Sequence, residues 1–227
     1  MVGGQGSYIM VDFDRARQVM VDGQLRAGGV TDERLLAQMS RLPREFFVPE
    51  QRRSLAYVDD LHWLGEPGSR RFMPAPATLA KLLKLAEVAA DDTVLDLGAG
   101  TGYATAILAG LAATVIGLEQ DAALAASASA NLAALGIDNA SVVTGTVDQF
   151  GPARFDVIIA QGMLDSIPAA FFDVLKDGGR IVALVRTGPV GLATVFTKSG
   201  GHVAARREFN ASLPPLFGVL RDEEFIF

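Results

Sequence analysis

The chain lacks cysteine altogether, which excludes disulfides, thiolate metal sites and cysteine nucleophiles. Its two histidines, His62 and His202, stand far apart in no metal-ligand spacing, so we expect no metal site. No dense run of lysine or arginine occurs, and the net charge of −6 disfavours binding to a nucleic-acid backbone. We therefore expect a peptide or small-molecule substrate, and the lack of cysteine fits a reducing cytoplasm.

Long apolar runs are also missing. The longest, residues 104–118, is shorter than the roughly 18 residues that span a bilayer, and it divides into a helix and a strand. Residues 1–7 are rich in glycine, with neither a basic start nor an apolar core, so we expect no signal peptide there. Half of the 227 residues are hydrophobic, which is enough for one large core. These features predict a single enzyme-sized unit without membrane contact.

The most informative segment is the glycine-rich turn DLGAGTG at residues 96–102. The apolar run before it predicts a buried strand, and Tyr103–Ala109 after it predicts a helix. Glycine lets the chain reverse sharply and lets backbone N–H groups approach a ligand. A dinucleotide fingerprint places its third glycine one residue later, as G-x-G-x-x-G. The spacing here, preceded by Asp96, resembles motif I of S-adenosylmethionine-dependent methyltransferases.

Two acidic residues fit this resemblance. Asp96 at the strand tip can attract the cationic sulfonium and ammonium groups of the methyl donor. The next predicted strand, 114–118, ends at Glu119, where a carboxylate can bind both ribose hydroxyls. Two alternatives to a methyltransferase site stay open. The chain could be an NAD-dependent oxidoreductase, or the segment could be a glycine-rich turn beside an ordinary surface glutamate with no cofactor role. The expected cofactor is S-adenosyl-L-methionine, with S-adenosyl-L-homocysteine as its product.

The pattern along the chain predicts the rest of the architecture. Before the turn we expect helices at 12–26, from an N-cap at Thr31 to about residue 42, and at 77–88, with a loop-rich crossing at 43–60. After it we expect helices at 121–135 and 167–175, strands at 142–144, 155–162 and 180–186, and two antiparallel strands at 191–197 and 202–209. The apolar tail 225–227 is expected to close a sheet edge or cover the core.

This order of elements predicts an α/β, doubly wound, Rossmann-like methyltransferase sheet with an N-terminal helical cap and antiparallel C-terminal strands. We place the cap and substrate loop in 1–74 and the cofactor-binding domain in 75–227, packed as one compact unit.

A narrower resemblance rests on three segments: MVDGQLRAGGVTDERLLAQMSRLPREFFVP at 20–49, AYVDD at 56–60, and the glycine turn. From about residue 19 to 186 the chain resembles the protein-L-isoaspartate O-methyltransferase family. The resemblance implies carboxyl methylation of isoaspartyl residues in damaged proteins, a repair reaction. A methyltransferase with a different acceptor and a catalytically silent cofactor-binding protein remain alternatives.

The family's substrate loop reads G-x-x-T-I-S-x-P, whereas this chain has GSRRFMPAP at 68–76. Phe72 and Pro74 therefore replace the two hydroxyl residues that help to place the acceptor carboxylate. Arg70 and Arg71 are candidates to bind that carboxylate through a bidentate guanidinium; the alternative is that both are solvated. The resemblance also makes Asp59 the loop acid that organises the acceptor side.

The family pattern further implies the cofactor contacts. After the strand at 142–144 the family has Gly-Asp-Gly, and here Thr146 takes the place of the aspartate that contacts adenine. Gln161, at the end of the strand at 155–162, should face the reactive methyl group. The expected cofactor-binding residues are Asp96, Gly98, Ala99, Gly100, Thr101, Gly102, Tyr103, Glu119, Gln120, Gly145, Thr146 and Gln161.

Overall fold

The computed structural model describes residues 11–65 and 68–216. The N-terminal part contains α1 (Phe13–Met20), α2 (Glu33–Arg41), β1 (His62–Leu64), β2 (Arg71–Met73) and α3 (Pro76–Leu85). The remainder contains β3 (Thr93–Leu97), α4 (Tyr103–Ala109), β4 (Thr114–Glu119), α5 (Ala122–Ala134), β5 (Ala140–Thr144), β6 (Phe155–Leu164), α6 (Ala169–Val174), β7 (Leu175–Thr187), β8 (Val190–Ser199) and β9 (His202–Ala211). Within the described residues, no helix is long and apolar enough to cross a membrane.

The central sheet has seven strands in the order β5-β4-β3-β6-β7-β8-β9. Neighbouring strands from β5 to β7 pair in parallel, whereas β8 and β9 extend the sheet in antiparallel fashion. The prediction of a doubly wound sheet with antiparallel C-terminal strands is therefore confirmed. Because β3, β4 and β6 run in the same direction, their carboxyl ends meet at one edge, where such folds bind ligands. That edge carries Asp96, Glu119 and Gln161.

The first two helices, α1 and α2, begin at aspartate caps. Asp12 accepts a hydrogen bond from the Arg15 amide, and α1 continues as a π-helical segment, Val21–Arg26. The predicted N-cap Thr31 of α2 is wrong by one residue. Asp32 has the extended backbone of a cap, and its carboxylate accepts from the amides of Arg34 and Leu35.

Three further segments differ from the prediction. The crossing at 43–60 contains two short 3₁₀ helices, Arg44–Phe47 and Glu50–Leu55. The substrate loop forms a small antiparallel hairpin, in which His62 pairs with Met73 and Leu64 pairs with Arg71. Strand β7 begins at Leu175 rather than at residue 180, because an irregularity in its register with β6 absorbs the glycine-containing turn. The tail at 225–227 lies outside the described residues.

One buried arginine joins the cap to the helix α4. Arg44 donates from Nε to the Ala56 carbonyl at 2.7 Å and from Nη2 to the Pro74 carbonyl at 2.6 Å. Its guanidinium also lies over the ring of Tyr103, 4.8 Å from the centroid. Arg44 is fully buried, and this burial lowers the pKa of its guanidinium. The apolar core likewise includes residues from both sides of position 74, so the cap and the sheet share one core. The exact division at 74/75 stays a prediction.

Candidate cofactor and acceptor site

The turn after β3 requires glycine for two separate reasons. Gly98 and Gly100 have φ angles of 82° and 57°, in the left-handed region that favours glycine. A Cβ at Gly98 would lie 2.5 Å from Leu216 Cδ1, and one at Gly100 would lie 2.8 Å from Leu64 Cδ1. The turn is also held to the neighbouring strand, because the Gly98 amide donates to the Leu118 carbonyl at 2.9 Å. The turn thus forms a close-fitting backbone cradle.

Asp96 lies fully buried at the end of β3, beneath this turn. Its Oδ2 accepts from Thr105 Oγ1 at 2.6 Å, and its Oδ1 accepts from Gln161 Nε2 at 2.5 Å. Burial raises the pKa of Asp96 to about 6, although both hydrogen bonds act in the opposite direction. Asp96 and Gln161 are therefore in direct contact. A cation beside Asp96 would favour its ionised form.

Glu119 lies fully buried at the end of β4 and accepts four hydrogen bonds. Its Oε1 accepts from Arg71 Nε at 2.9 Å and from the Asp121 amide at 3.1 Å. Its Oε2 accepts from Arg71 Nη2 at 2.6 Å and from the Gly100 amide at 2.7 Å. Arg71 also donates from Nη1 to the Leu216 carbonyl at 2.7 Å. A predicted acceptor residue, Arg71, is therefore paired with a predicted cofactor residue.

The other predicted acceptor residues have different surroundings. Asp59 Oδ1 accepts from the Ala77 amide at 3.0 Å, which satisfies a free donor at the start of α3. Arg70 is exposed, with a φ of 53° that is uncommon for a residue with a side chain. Phe72 is buried and packs edge-on against the exposed Trp63. Asp59 thus has a clear structural contact, while the roles of Asp59 and Arg70 towards an acceptor stay predictions.

Among the remaining predicted cofactor residues, two are tied to the cap. Thr101 Oγ1 donates to the Phe47 carbonyl at 2.5 Å, and the buried ring of Tyr103 packs against Phe47 and Arg44. Gln120 and Thr146 are exposed at the carboxyl ends of the strands. Gly145 has a φ of 145°.

Two cavities of very different volume lie near the glycine turn. A narrow recess of about 10 Å³ is lined by Arg71, Leu97, Gly98, Leu118, Gln120 and Gly145. A separate cleft of about 640 Å³ lies between the cap and α5, with Thr101, Asp121 and Asn131 on its wall. Three of the predicted cofactor residues, Gly98, Gln120 and Gly145, line the small recess, and Arg71 forms part of its wall.

Three residues at the site were not predicted from the sequence. Thr105 binds Asp96, Leu64 packs over Gly100, and Leu216 packs over Gly98 and Gly162. Thr105 lies in the helix that follows the turn, but nothing in its local sequence distinguishes it from a packing residue. Leu64 and Leu216 reach the turn only through tertiary structure.

Comparison with known proteins decides the family. The family described as protein-L-isoaspartate(D-aspartate) O-methyltransferase matches residues 15–217. The chain belongs to this family. A relative from Koribacter versatilis, named protein-L-isoaspartate O-methyltransferase, is 38% identical over 208 residues, which cover 91% of each chain. A relative of the same name from Roseiflexus castenholzii is 34% identical over 210 residues, covering 92% of this chain and 94% of the relative.

The fold of this family member also matches a solved structure. A Plasmodium falciparum protein described as a protein-L-isoaspartate O-methyltransferase, in complex with S-adenosyl-L-homocysteine, aligns with a TM-score of 0.75. The alignment covers 89% of this chain and 99% of that one, at 21% identity. The family resemblance and the fold predicted from the sequence are both confirmed.

Proposed function

We propose that this protein transfers a methyl group from S-adenosyl-L-methionine to the carboxylate of an isoaspartyl residue in a peptide or protein. The observation that carries the proposal is the pair of buried carboxylates, Asp96 and Glu119, at adjacent strand ends around a glycine cradle in a member of this family. The cofactor, when bound, supplies a methyl group on a positively charged sulfur. We place this repair reaction in the cytoplasm.

The residues at the strand ends fit the chemistry of that cofactor. Glu119 offers carboxylate oxygens to ribose hydroxyls, and Asp96, oriented by Gln161, offers a negative charge to the cationic end. Glycine is required at 98 and 100 by the packing of the turn itself, since a Cβ at either position would clash with Leu216 or Leu64. Gln120, Gly145 and Thr146 surround the position proposed for adenine. NAD is disfavoured because the third glycine of the turn comes one residue earlier than in the dinucleotide fingerprint.

The acceptor side must position one carboxylate oxygen and exclude water, since a carboxylate is already a nucleophile. Arg71 and Arg70 are the proposed carboxylate-binding residues, and Asp59 is proposed to hold the loop through the start of α3. A second candidate function is methylation of a different carboxylate or small molecule. It is favoured by Phe72 and Pro74, whose side chains have no hydroxyl for the acceptor.

The test is transfer of labelled methyl from S-adenosyl-L-methionine to an isoaspartyl peptide and to the same peptide with normal aspartate. We expect labelling of the isoaspartyl peptide alone. Calorimetric binding of S-adenosyl-L-homocysteine serves as the control for cofactor binding. Binding without transfer to either peptide would contradict the isoaspartyl proposal and favour the second candidate, whereas absence of binding would contradict both.

A further inference from the structure

The hydrogen-bonding capacity of Glu119 is fully used. A carboxylate has about four lone-pair sites, and the Glu119 oxygens accept from four donors at 2.6–3.1 Å. Two donors are backbone amides, of Gly100 and Asp121, which the glycine turn and the start of α5 hold in place. The other two are Nε and Nη2 of Arg71, on a side chain that can move. A new pair of donors can reach Glu119 only where Arg71 now binds.

The vicinal hydroxyls of ribose are such a pair. They offer two O–H donors, the same number that the guanidinium contributes to Glu119. The exchange conserves the hydrogen bonds of the carboxylate but removes its counterion, and it leaves a permanently charged guanidinium without its carboxylate. The side chain of Arg71 is only 13% exposed, so solvent alone compensates poorly for that loss.

Arg71 also connects the two segments that cover the glycine turn. It lies on β2, and its Nη1 binds the carbonyl of Leu216, whose side chain packs over Gly98. Arg71 Nη2 would itself lie 3.0 Å from a Cβ at Gly98. Displacement of Arg71 from Glu119 therefore frees a cation directly beside the turn, in the loop where Phe72 and Pro74 offer no side-chain hydrogen bonds.

We propose that Arg71 and the ribose diol of the cofactor compete for Glu119, and that the displaced Arg71 binds a ligand carboxylate in a bidentate pair. This inference rests on the proposed function. The carboxylate belongs either to the acceptor or to the amino-acid end of the cofactor. In both cases Arg71 couples occupation of the ribose position to recognition of an anion, which makes it a specificity-determining residue.

The experiment is calorimetric titration of wild type and Arg71→Gln with two nucleosides, 5′-methylthioadenosine and S-adenosyl-L-homocysteine. Only the second carries an amino-acid carboxylate. Competition predicts that Arg71→Gln binds 5′-methylthioadenosine about tenfold more tightly, the gain expected if the open form is about one-tenth populated in wild type. Arg71→Lys, which keeps the charge but not the planar fork, should give an intermediate gain. Arg207→Gln, on the exposed face of β9, is the matched control and should leave the affinity unchanged.

Titration with S-adenosyl-L-homocysteine shows whether Arg71 binds the carboxylate of the acceptor or that of the cofactor. If Arg71 moves to the acceptor, Arg71→Gln binds S-adenosyl-L-homocysteine more tightly as well, and the KM for the acceptor rises. If Arg71 moves to the cofactor's carboxylate, Arg71→Gln binds S-adenosyl-L-homocysteine more weakly while it binds 5′-methylthioadenosine more tightly.

An unchanged or weaker affinity of Arg71→Gln for 5′-methylthioadenosine, with wild-type thermal stability, would overturn the inference and leave the proposed function intact. If neither nucleoside binds either protein, the proposed function and the inference both fail.

Discussion

Replacement of Asp96 by asparagine tests how much the buried carboxylate beneath the glycine turn lowers the free energy of unfolding. Burial raises the pKa of Asp96 to about 6 from its ordinary value of 3.8. Asparagine has nearly the same shape, and the Gln161 amide can rotate so that its oxygen accepts from the new Nδ2. The substitution therefore removes the buried charge and keeps hydrogen bonds to Thr105 and Gln161. We expect Asp96→Asn to be more stable than wild type at neutral pH.

The magnitude follows from proton linkage. The folded state binds the Asp96 proton more tightly than the unfolded state does, so this group's contribution to stability is largest below pH 3.8 and is lost as pH rises through 6. A pKa difference of about 2 units corresponds to about 3 kcal/mol once ionisation is complete. The stability gained by Asp96→Asn should thus be about 3 kcal/mol at pH 8 and about half of that at pH 5.

The assay is urea denaturation of both proteins between pH 5 and pH 8, with Asp148→Asn as a control at an exposed carboxylate. We expect the difference in free energy of unfolding between Asp96→Asn and wild type to increase with pH, and to increase more than the difference between the control and wild type. If the difference in free energy of unfolding between Asp96→Asn and wild type does not change with pH, the pKa of Asp96 is not raised. An Asp96→Asn protein that is less stable than wild type at pH 8 would refute the claim that burial of the charge dominates over its hydrogen bonds.

Two further outcomes follow from the same contacts. Asp96→Asn should weaken binding of S-adenosyl-L-methionine about tenfold more than binding of S-adenosyl-L-homocysteine. Both ligands bring an ammonium group near residue 96, but only S-adenosyl-L-methionine adds the positively charged sulfur. Equal losses of affinity in calorimetry would contradict a contact between Asp96 and the sulfonium. Arg44→Met should lower the free energy of unfolding by about 2 kcal/mol, because the buried carbonyls of Ala56 and Pro74 lose their hydrogen-bond donors. This loss exceeds the stability gained when the buried positive charge is removed. Urea denaturation measures this loss, with Arg41→Met on the exposed face of α2 as the control. If Arg44→Met is more stable than wild type, the desolvation of the buried guanidinium outweighs its hydrogen bonds.

The local sequence was sufficient to predict most of the central sheet. The prediction for α4 matches the structure, because a glycine turn and an apolar run mark its limits. The position of Glu119 followed from the same βαβ spacing. The errors lie where several local signals compete. Thr31 and Asp32 are both good capping residues, and only the backbone geometry shows that Asp32 is the cap.

The candidate site was less predictable than the fold. Asp96 and the glycines belong to one contiguous motif, and Glu119 follows at the end of the next strand, whereas the Arg71–Glu119 pair joins residues 48 positions apart. A charged residue in a loop carries no local signal of its partner, so Arg71 was expected at the acceptor side alone. The contact of Leu216 with Gly98 depends on where the chain returns after β9, which no periodic pattern encodes.

The most direct test of this account is a crystal structure of the protein with S-adenosyl-L-homocysteine. We expect the ribose hydroxyls on Glu119, the amino-acid end near Asp96 and Gln161, and the Arg71 guanidinium no longer paired with Glu119. A ligand bound in the larger cleft beside α5, with Arg71 still in a bidentate pair with Glu119, would contradict it.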